Sequence, residues 1–276
     1  MKKQLIISAL IGLALSTTSV SAMDAALVAK VEVAMNAGHR SEKNIARNKY
    51  RHPLGTLAFF GLKPNMTVLE IAPGGGWYTE ILAPTMRDTG VYISGSYDVS
   101  LDNLPDYQYR VVDKLLDNIK EVPEVYGQVE VSAYSPPESR DLGSANSVDM
   151  VLTFRSNHGW IRSEVIDTVY EDFFKVLKPG GVLGVVQHRA PEGGDPEDWA
   201  ENGYVAESYV ISVAEKAGFV LDGKSEVNAN PLDSKDHERG VWTLPPTLSL
   251  GEVDREKYLA IGESDRMTLR FVKPAK

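Results

Sequence analysis

The chain has 276 residues, of which 43% are hydrophobic and 24% are charged, a composition typical of a soluble globular protein with one sizeable core. Its 29 Lys and Arg against 38 Asp and Glu give a formal net charge of -9, and no basic run is present, so we expect no nucleic acid among its partners. Cysteine is absent, which excludes disulfides, thiolate metal ligands and a cysteine nucleophile.

The first 22 residues have the pattern of an export signal. Two lysines precede an apolar run from Leu5 to Leu15, and small residues end the segment at Ala22. The run is shorter than the ~20 residues that span a bilayer, so we predict a signal peptide over residues 1–22 and a mature chain that begins at Met23. This predicts a periplasmic or secreted protein that is not held in the membrane after cleavage, and the absence of cysteine suits the bacterial periplasm.

Residues 23–62 predict an N-terminal helical extension. The stretches DAALVAKVEVAMNAG and SEKNIARNKYR carry good helix formers with apolar residues at helical spacing, and Gly38 separates them. The tripeptide RHP, which ends at Pro53, marks a break before a further apolar stretch.

Residues 63–276 predict one α/β domain. Apolar, β-rich segments such as TVLEIA, GVYISG and SVDMVLTF alternate with helical segments such as WYTEILAPTMRD and YVAESYVISVAEKAG. This alternation is typical of a doubly wound, mostly parallel, Rossmann-like sheet of about seven strands with helices on both faces. The late segment DRMTLRFVKP alternates polar and apolar residues, and we predict that it forms an antiparallel last strand.

Three glycines, Gly74, Gly75 and Gly76, follow the first predicted strand. In a doubly wound sheet ligands bind at the carboxyl ends of the strands, so this turn is the favoured place for a ligand. A dinucleotide fingerprint needs a further glycine three positions later, where Thr79 stands, and this argues against an oxidoreductase. A phosphate-binding P-loop needs Gly-Lys-Ser/Thr, which does not occur here.

The pattern Glu70-x-x-x-Gly74-x-Gly76 resembles motif I of the class I S-adenosylmethionine-dependent methyltransferases, an acid followed by three spaced glycines. Ala72 replaces the first of those glycines. The resemblance implies S-adenosyl-L-methionine as cofactor, with its amino-acid end against the loop that contains Gly75 and its ammonium group near the carboxylate of Glu70.

Further segments are similar to the same family. FFKVLKPGGVLGVVQHRA resembles its fifth-strand region, and YRHPLGTLAFFGLKP and YLAIGESDRMTLRF look like a group of exported, methyltransferase-like bacterial proteins. The family has an acid at the end of the second strand that binds the ribose. Here the predicted strand ends at Ser94 and Gly95, and Asp98 takes that role only if the strand runs longer.

The resemblance places the acceptor near the loops that follow the fourth and fifth strands. Arg155 and His158 lie in the first of these loops and His188 in the second, where only one of His188 and Arg189 should face the cleft because neighbours in a strand point to opposite faces. His158 is a candidate general base, or else a structural histidine. Arg155 either binds an acidic substrate or supports Glu70 through an interaction with its carboxylate.

The sequence thus predicts a methyltransferase that acts on a small-molecule acceptor. The alternative is an exported binding protein that keeps the glycine-rich cleft without catalysis. Five histidines without close ligand spacing, and no cysteine, predict that no metal is bound.

Overall fold

The structure is a computed structural model that describes residues 23–102 and 104–275. The predicted signal peptide lies outside the described residues. A seven-stranded sheet has the order β3-β2-β1-β4-β5-β7-β6, with β7 antiparallel to both of its neighbours and the remaining pairs parallel. The strands are β1 Thr67–Ile71, β2 Val91–Ser96, β3 Glu130–Ala133, β4 Val148–Phe154, β5 Leu177–His188, β6 Val220–Ser225 and β7 Arg266–Val272. The predicted fold class and the antiparallel last strand are confirmed.

Twelve α-helices are present in the described part of the chain. They are α1 Ala25–Met35, α2 Glu42–Ile45, α3 Asn48–Arg51, α4 Pro53–Phe60, α5 Thr79–Met86, α6 Asp106–Glu121, α7 Pro123–Tyr126, α8 Asn157–Arg162, α9 Ile166–Val176, α10 Pro196–Glu201, α11 Glu207–Lys216 and α12 Arg255–Ile261. A 3-10 turn covers Gly240–Thr243. No helix among the described residues is long and apolar enough to cross a membrane.

The core lies on both faces of the sheet, because side chains alternate along each strand. In β1, Leu69 and Ile71 belong to the cluster that α9 and α11 cover, whereas Val68 belongs to the opposite cluster with residues of α1, α4 and α5. Glu70, which alternates with Leu69 and Ile71, therefore points toward α5.

Two of the N-terminal helices, α1 and α4, pack into this second cluster. Leu27 and Val31 of α1 and Leu57 and Phe60 of α4 are at most 1% exposed, and they pack with residues of α5. Gly184 of β5 makes room for α4, since a Cβ at that position would lie 2.8 Å from the Phe60 ring. Helices α1 and α4 thus form part of the helical layer on one face of the sheet.

Three local features differ from the sequence-based expectations. No helix was predicted between the second and third strands, yet α6 occupies 16 residues there. The segment after β4, expected to be a loop, forms α8 from Asn157. Strand β2 runs to Ser96, one residue beyond the predicted end at Gly95.

Candidate active site

A cleft of about 1220 Å³ opens at the carboxyl ends of β1, β2 and β4. The sheet order reverses between β1 and β4, and a ligand site is expected at such a switch point. Its walls come from the glycine loop, the tips of β2 and β3, helices α2, α3 and α8, and the segment around Trp242.

The backbone of the glycine loop is left-handed at alternate positions. Ala72, Gly74 and Gly76 have φ values of 51°, 58° and 78°. Glycine adopts this region freely, whereas alanine does so at some energetic expense, so Ala72 keeps the backbone of the glycine that it replaces. A Cβ added at Gly74 or Gly75 would meet no atom of the described protein within 4 Å, so the space in front of the loop is open.

The loop is supported from two sides. Lys114 of α6 donates a hydrogen bond to the Gly75 carbonyl (3.0 Å). Beneath the loop, Glu70 is 1% exposed and is not among the residues that line the cleft. Tyr92 donates to Glu70 Oε2 (2.5 Å), and the Thr79 hydroxyl lies 3.3 Å from the same oxygen. Thr79, which stands where a dinucleotide fingerprint has glycine, thus joins a buried network with Glu70.

Burial strongly perturbs Glu70. Desolvation raises its pKa from 4.5 to about 7, although the hydrogen bonds from Tyr92 and Thr79 and the charge of Arg155 oppose the shift. Near neutral pH the carboxyl is therefore divided between its two protonation states. Its contact with a cofactor ammonium stays a prediction.

The carboxyl end of β2 presents an aromatic side chain to the cleft. Tyr97, directly after β2, lines the cleft with Tyr107 and Tyr134, and the rings of Tyr97 and Tyr107 meet edge to face at 5.9 Å. Asp98 is not among the lining residues, and its carboxylate accepts hydrogen bonds from the Ser100 backbone and hydroxyl. Asp98 thus caps its own turn, and the structure places Tyr97 at the lip of the cleft.

Arg155 and His158 both line the cleft at the end of β4. Arg155 has a left-handed φ of 64°, and its N–H donates to the Val186 carbonyl of β5 (2.7 Å). Its side chain has no hydrogen-bond or ion-pair partner among the described residues, and it does not hydrogen-bond Glu70. Burial lowers the Arg155 pKa to about 10, so the guanidinium remains charged at neutral pH.

His158 lies in the first turn of α8. Its Nδ1 is 3.4 Å from the Gln187 amide, and its ring meets Trp242 edge to face at 5.8 Å. Desolvation, with the charges of Arg162 and Arg155, lowers its pKa to about 4. The imidazole is neutral at pH 7 and weakly basic, which makes it a poor proton acceptor for an unactivated hydroxyl.

His188 lies behind His158, with ring centroids 6.1 Å apart, and it is not among the residues that line the cleft. Its Nδ1 is 2.5 Å from the Ser264 hydroxyl. Because β7 runs antiparallel to β5, the residues that precede β7 cover the end of β5. Burial, with the neighbouring His158, holds the His188 pKa well below its usual value. Arg189 also misses the cleft, since it pairs with Asp265 (2.9 Å).

The N-terminal helices add arginines that the sequence analysis did not single out. Arg47, which directly precedes α3, and Arg51, the last residue of α3, line the cleft. Both bind Glu263, Arg47 at 2.6 Å and Arg51 at 2.9 Å, and Arg266 reaches the same carboxylate at 3.0 Å. Burial alone would raise the pKa of Glu263, but the arginines lower it to about 2.

Some of these cleft residues could have been identified from the sequence. Arg47 and Arg51 are four residues apart on a helical stretch, which places them on one face, and Tyr97 lies two residues after the predicted strand that ends at Gly95. Trp242 carried no such signal, because it enters the wall from a segment without regular strands. Within residues 23–102 and 104–275 no group of three or more His, Asp or Glu side chains could hold a metal ion.

Comparison with known proteins supports the fold. The sequence matches no protein-family model, and no curated protein is significantly similar to it. Among solved structures, an S-adenosylmethionine-dependent methyltransferase from Aquifex aeolicus is 21% identical, with 73% of this chain and 93% of that chain covered and a TM-score of 0.51.

Two further structures have similar scores. Phosphoethanolamine N-methyltransferase 2 of Haemonchus contortus, in complex with S-adenosyl-L-methionine, is 16% identical over 90% of this chain and 56% of that chain, with a TM-score of 0.54. The [4+2]-cyclase SpnF is 18% identical over 91% of this chain and 93% of that chain, also at 0.54. The chain therefore has the Rossmann-like methyltransferase fold, and the cyclase shows that this fold does not by itself determine the reaction.

Proposed function

We propose that the protein is an S-adenosylmethionine-dependent methyltransferase that acts on a small-molecule acceptor. The observation that carries the proposal is the open backbone of Gly74 and Gly75 at the switch point of a methyltransferase-type sheet. The residues fit the cofactor, because unbranched backbone faces the cleft and aromatic rings at Tyr97 and Tyr134 can flank a purine. The similar structures from Aquifex aeolicus and Haemonchus contortus support the same reaction.

When bound, the cofactor supplies an electrophilic methyl group on a sulfonium. The backbone from Ala72 to Gly75 would hold its amino-acid end, and Glu70 would balance positive charge from beneath the loop. Arg155 and His158 border the place for the acceptor. Since His158 is neutral and weakly basic, it would orient the acceptor by hydrogen bonding, and an acceptor with a free lone pair or a low pKa needs no base from the protein.

We further propose that the mature protein begins at Met23 and acts in the periplasm or the medium, on the basis of the signal-like first 22 residues. Mass spectrometry of the protein recovered from the periplasm tests this proposal. Recovery of chains that retain Met1 would contradict it.

Calorimetry with S-adenosylmethionine and S-adenosylhomocysteine tests the proposed cofactor. Gly75→Val should abolish binding, because the new side chain fills space in front of the loop, and the fold should tolerate it since Gly75 has no positive φ and no neighbour within 4 Å. Gly38→Val is the matched control, since Gly38 is equally open and does not line the cleft. If the Gly75→Val variant and the wild type bound S-adenosylmethionine with equal affinity, the glycines would have only a structural role.

A further inference from the structure

The walls of the cleft carry the opposite charge to the chain as a whole. Six cationic and two anionic side chains line it, a formal balance of +6 - 2 = +4, whereas the full chain has -9. The cations are Lys43, Arg47, Arg51, Lys114, Arg155 and Arg162, and the anions are Glu138 and Glu201. One of these anions, Glu201, is already paired with Arg162 (2.9 Å).

The excess positive charge is concentrated where the N-terminal helices meet the end of β4. Arg47, Arg51 and Arg266 share the single carboxylate of Glu263, and the charge of Arg155 also acts on this carboxylate. Four arginines and one glutamate leave a net charge of +4 - 1 = +3. Like charges held this close repel each other, so the cluster is stabilised by any anion that enters it.

Hydrogen-bond donors in this cluster are also unused. Arg51 is 3% exposed, and its buried Nη1 has no hydrogen-bond partner. The guanidinium of Arg51 lies over the Trp77 ring at 4.8 Å, which holds its plane in place. A buried guanidinium N–H without an acceptor is unfavourable, and arginine binds carboxylate and phosphate through two parallel bonds. Arg155, beside it, also lacks an acceptor among the described residues.

We propose that Arg47, Arg51 and Arg155 form an anion subsite that binds a carboxylate or phosphate group of the methyl acceptor. The identity of the ligand as an acceptor rests on the proposed function, but the subsite itself does not. Its position favours the acceptor over the cofactor. The backbone of Arg155 is bonded to β5, and Glu263 and Arg266 lie at the start of β7, so the cluster is on the β4–β5–β7 side of the glycine loop.

The carboxylate of the cofactor's amino-acid end has the same chemistry, so the experiment must separate the two sources. The probes are inorganic phosphate and succinate for the anion, and S-adenosylhomocysteine, which carries the cofactor carboxylate. Each probe is tested at pH 7.5 by thermal unfolding and calorimetry. Sodium chloride at equal ionic strength is the reference, so that nonspecific screening of charges is the same in both samples.

The main variant is Arg155→Met, which removes a charge without breaking a hydrogen bond of the folded protein. Without added anion it should unfold at the same or a higher temperature than the wild type, because it relieves repulsion. Arg51→Met is the second variant, and Arg162→Met, whose partner is Glu201, is the matched control from the same cleft.

Phosphate or succinate should stabilise the wild type and the Arg162→Met variant beyond the effect of sodium chloride. Arg155→Met and Arg51→Met should bind these anions at least tenfold more weakly while their affinity for S-adenosylhomocysteine changes less than threefold. An equal loss of affinity for S-adenosylhomocysteine, with phosphate competing against it, would assign the subsite to the cofactor and overturn the proposal. The absence of any specific anion effect on the wild type would also overturn it. A protein that binds phosphate but not S-adenosylhomocysteine would refute the proposed function alone.

Discussion

The buried carboxyl of Glu70 should make the stability of the protein depend on pH in an unusual direction. Its pKa is about 7 in the folded protein and 4.5 in the absence of burial. Between these values the folded state holds more protons than the unfolded chain, so the free energy of unfolding falls as the pH rises through this interval. Integrating the two titrations from pH 5 to pH 9 gives a loss of roughly 2–3 kcal/mol from this one group.

Glu70→Gln removes the titration and keeps the shape of the side chain and an acceptor for Tyr92. The test is denaturant unfolding of the ligand-free protein at several pH values, with the exposed Glu32→Gln of α1 as a control for the loss of one carboxyl group. From pH 5 to pH 9 the wild type and Glu32→Gln should lose roughly 2–3 kcal/mol more than Glu70→Gln does, which corresponds to about 5–10 °C in Tm. Parallel curves for the wild type and Glu70→Gln would refute the reasoning.

Three further predictions concern the loop, the acceptor side and the N-terminal helices. Ala72→Gly should change the free energy of unfolding by less than about 1 kcal/mol. It removes the strain of an alanine in the left-handed region, and this gain offsets the larger conformational entropy that glycine loses on folding; a larger loss of stability in a denaturant titration would contradict this. His158→Asn should lower turnover less than about tenfold and leave the rate without an inflection near pH 6.5, whereas a loss of roughly 10²-fold would identify a general base. Glu80→Ala should destabilise the protein by about 3–5 kcal/mol, since it leaves the fully buried Arg40 side chain without its 3.1 Å partner; a change under about 1 kcal/mol would show that water reaches Arg40.

Sequence periodicity was sufficient to predict the sheet. Strands such as β4 and β7 carry β-branched and apolar residues at the spacing that a pleated sheet requires, and the glycine loop follows an apolar strand directly. These signals are local, because they depend on residues a few positions apart. Helix α6 escaped prediction even though its apolar residues also recur at helical spacing, since most of that helix is polar and only Val112 and Leu115 are buried.

The side chains that share the cleft could not be predicted in the same way. Alternation in β1 predicts that Glu70 and Leu69 face opposite sides, but only the packing of Tyr92 and Thr79 against it decides that the Glu70 carboxyl is buried beneath the loop. Likewise, His188 turns to Ser264 because β7 lies antiparallel beside β5, a pairing between residues 76 positions apart.

The alternation of strands and helices and the position of the loop that includes Gly74 and Gly75 can be read from the amino-acid sequence, because both follow from local hydrophobic spacing and backbone freedom. The charge of the cleft, in contrast, depends on how distant segments pack together. Arg51 and Arg155 are about a hundred positions apart in the sequence, yet both line the cleft, and their charges act on Glu263, which comes from near the far end of the chain. Contacts of this kind depend on sheet order and on which helix covers which strand, and no local pattern encodes either one.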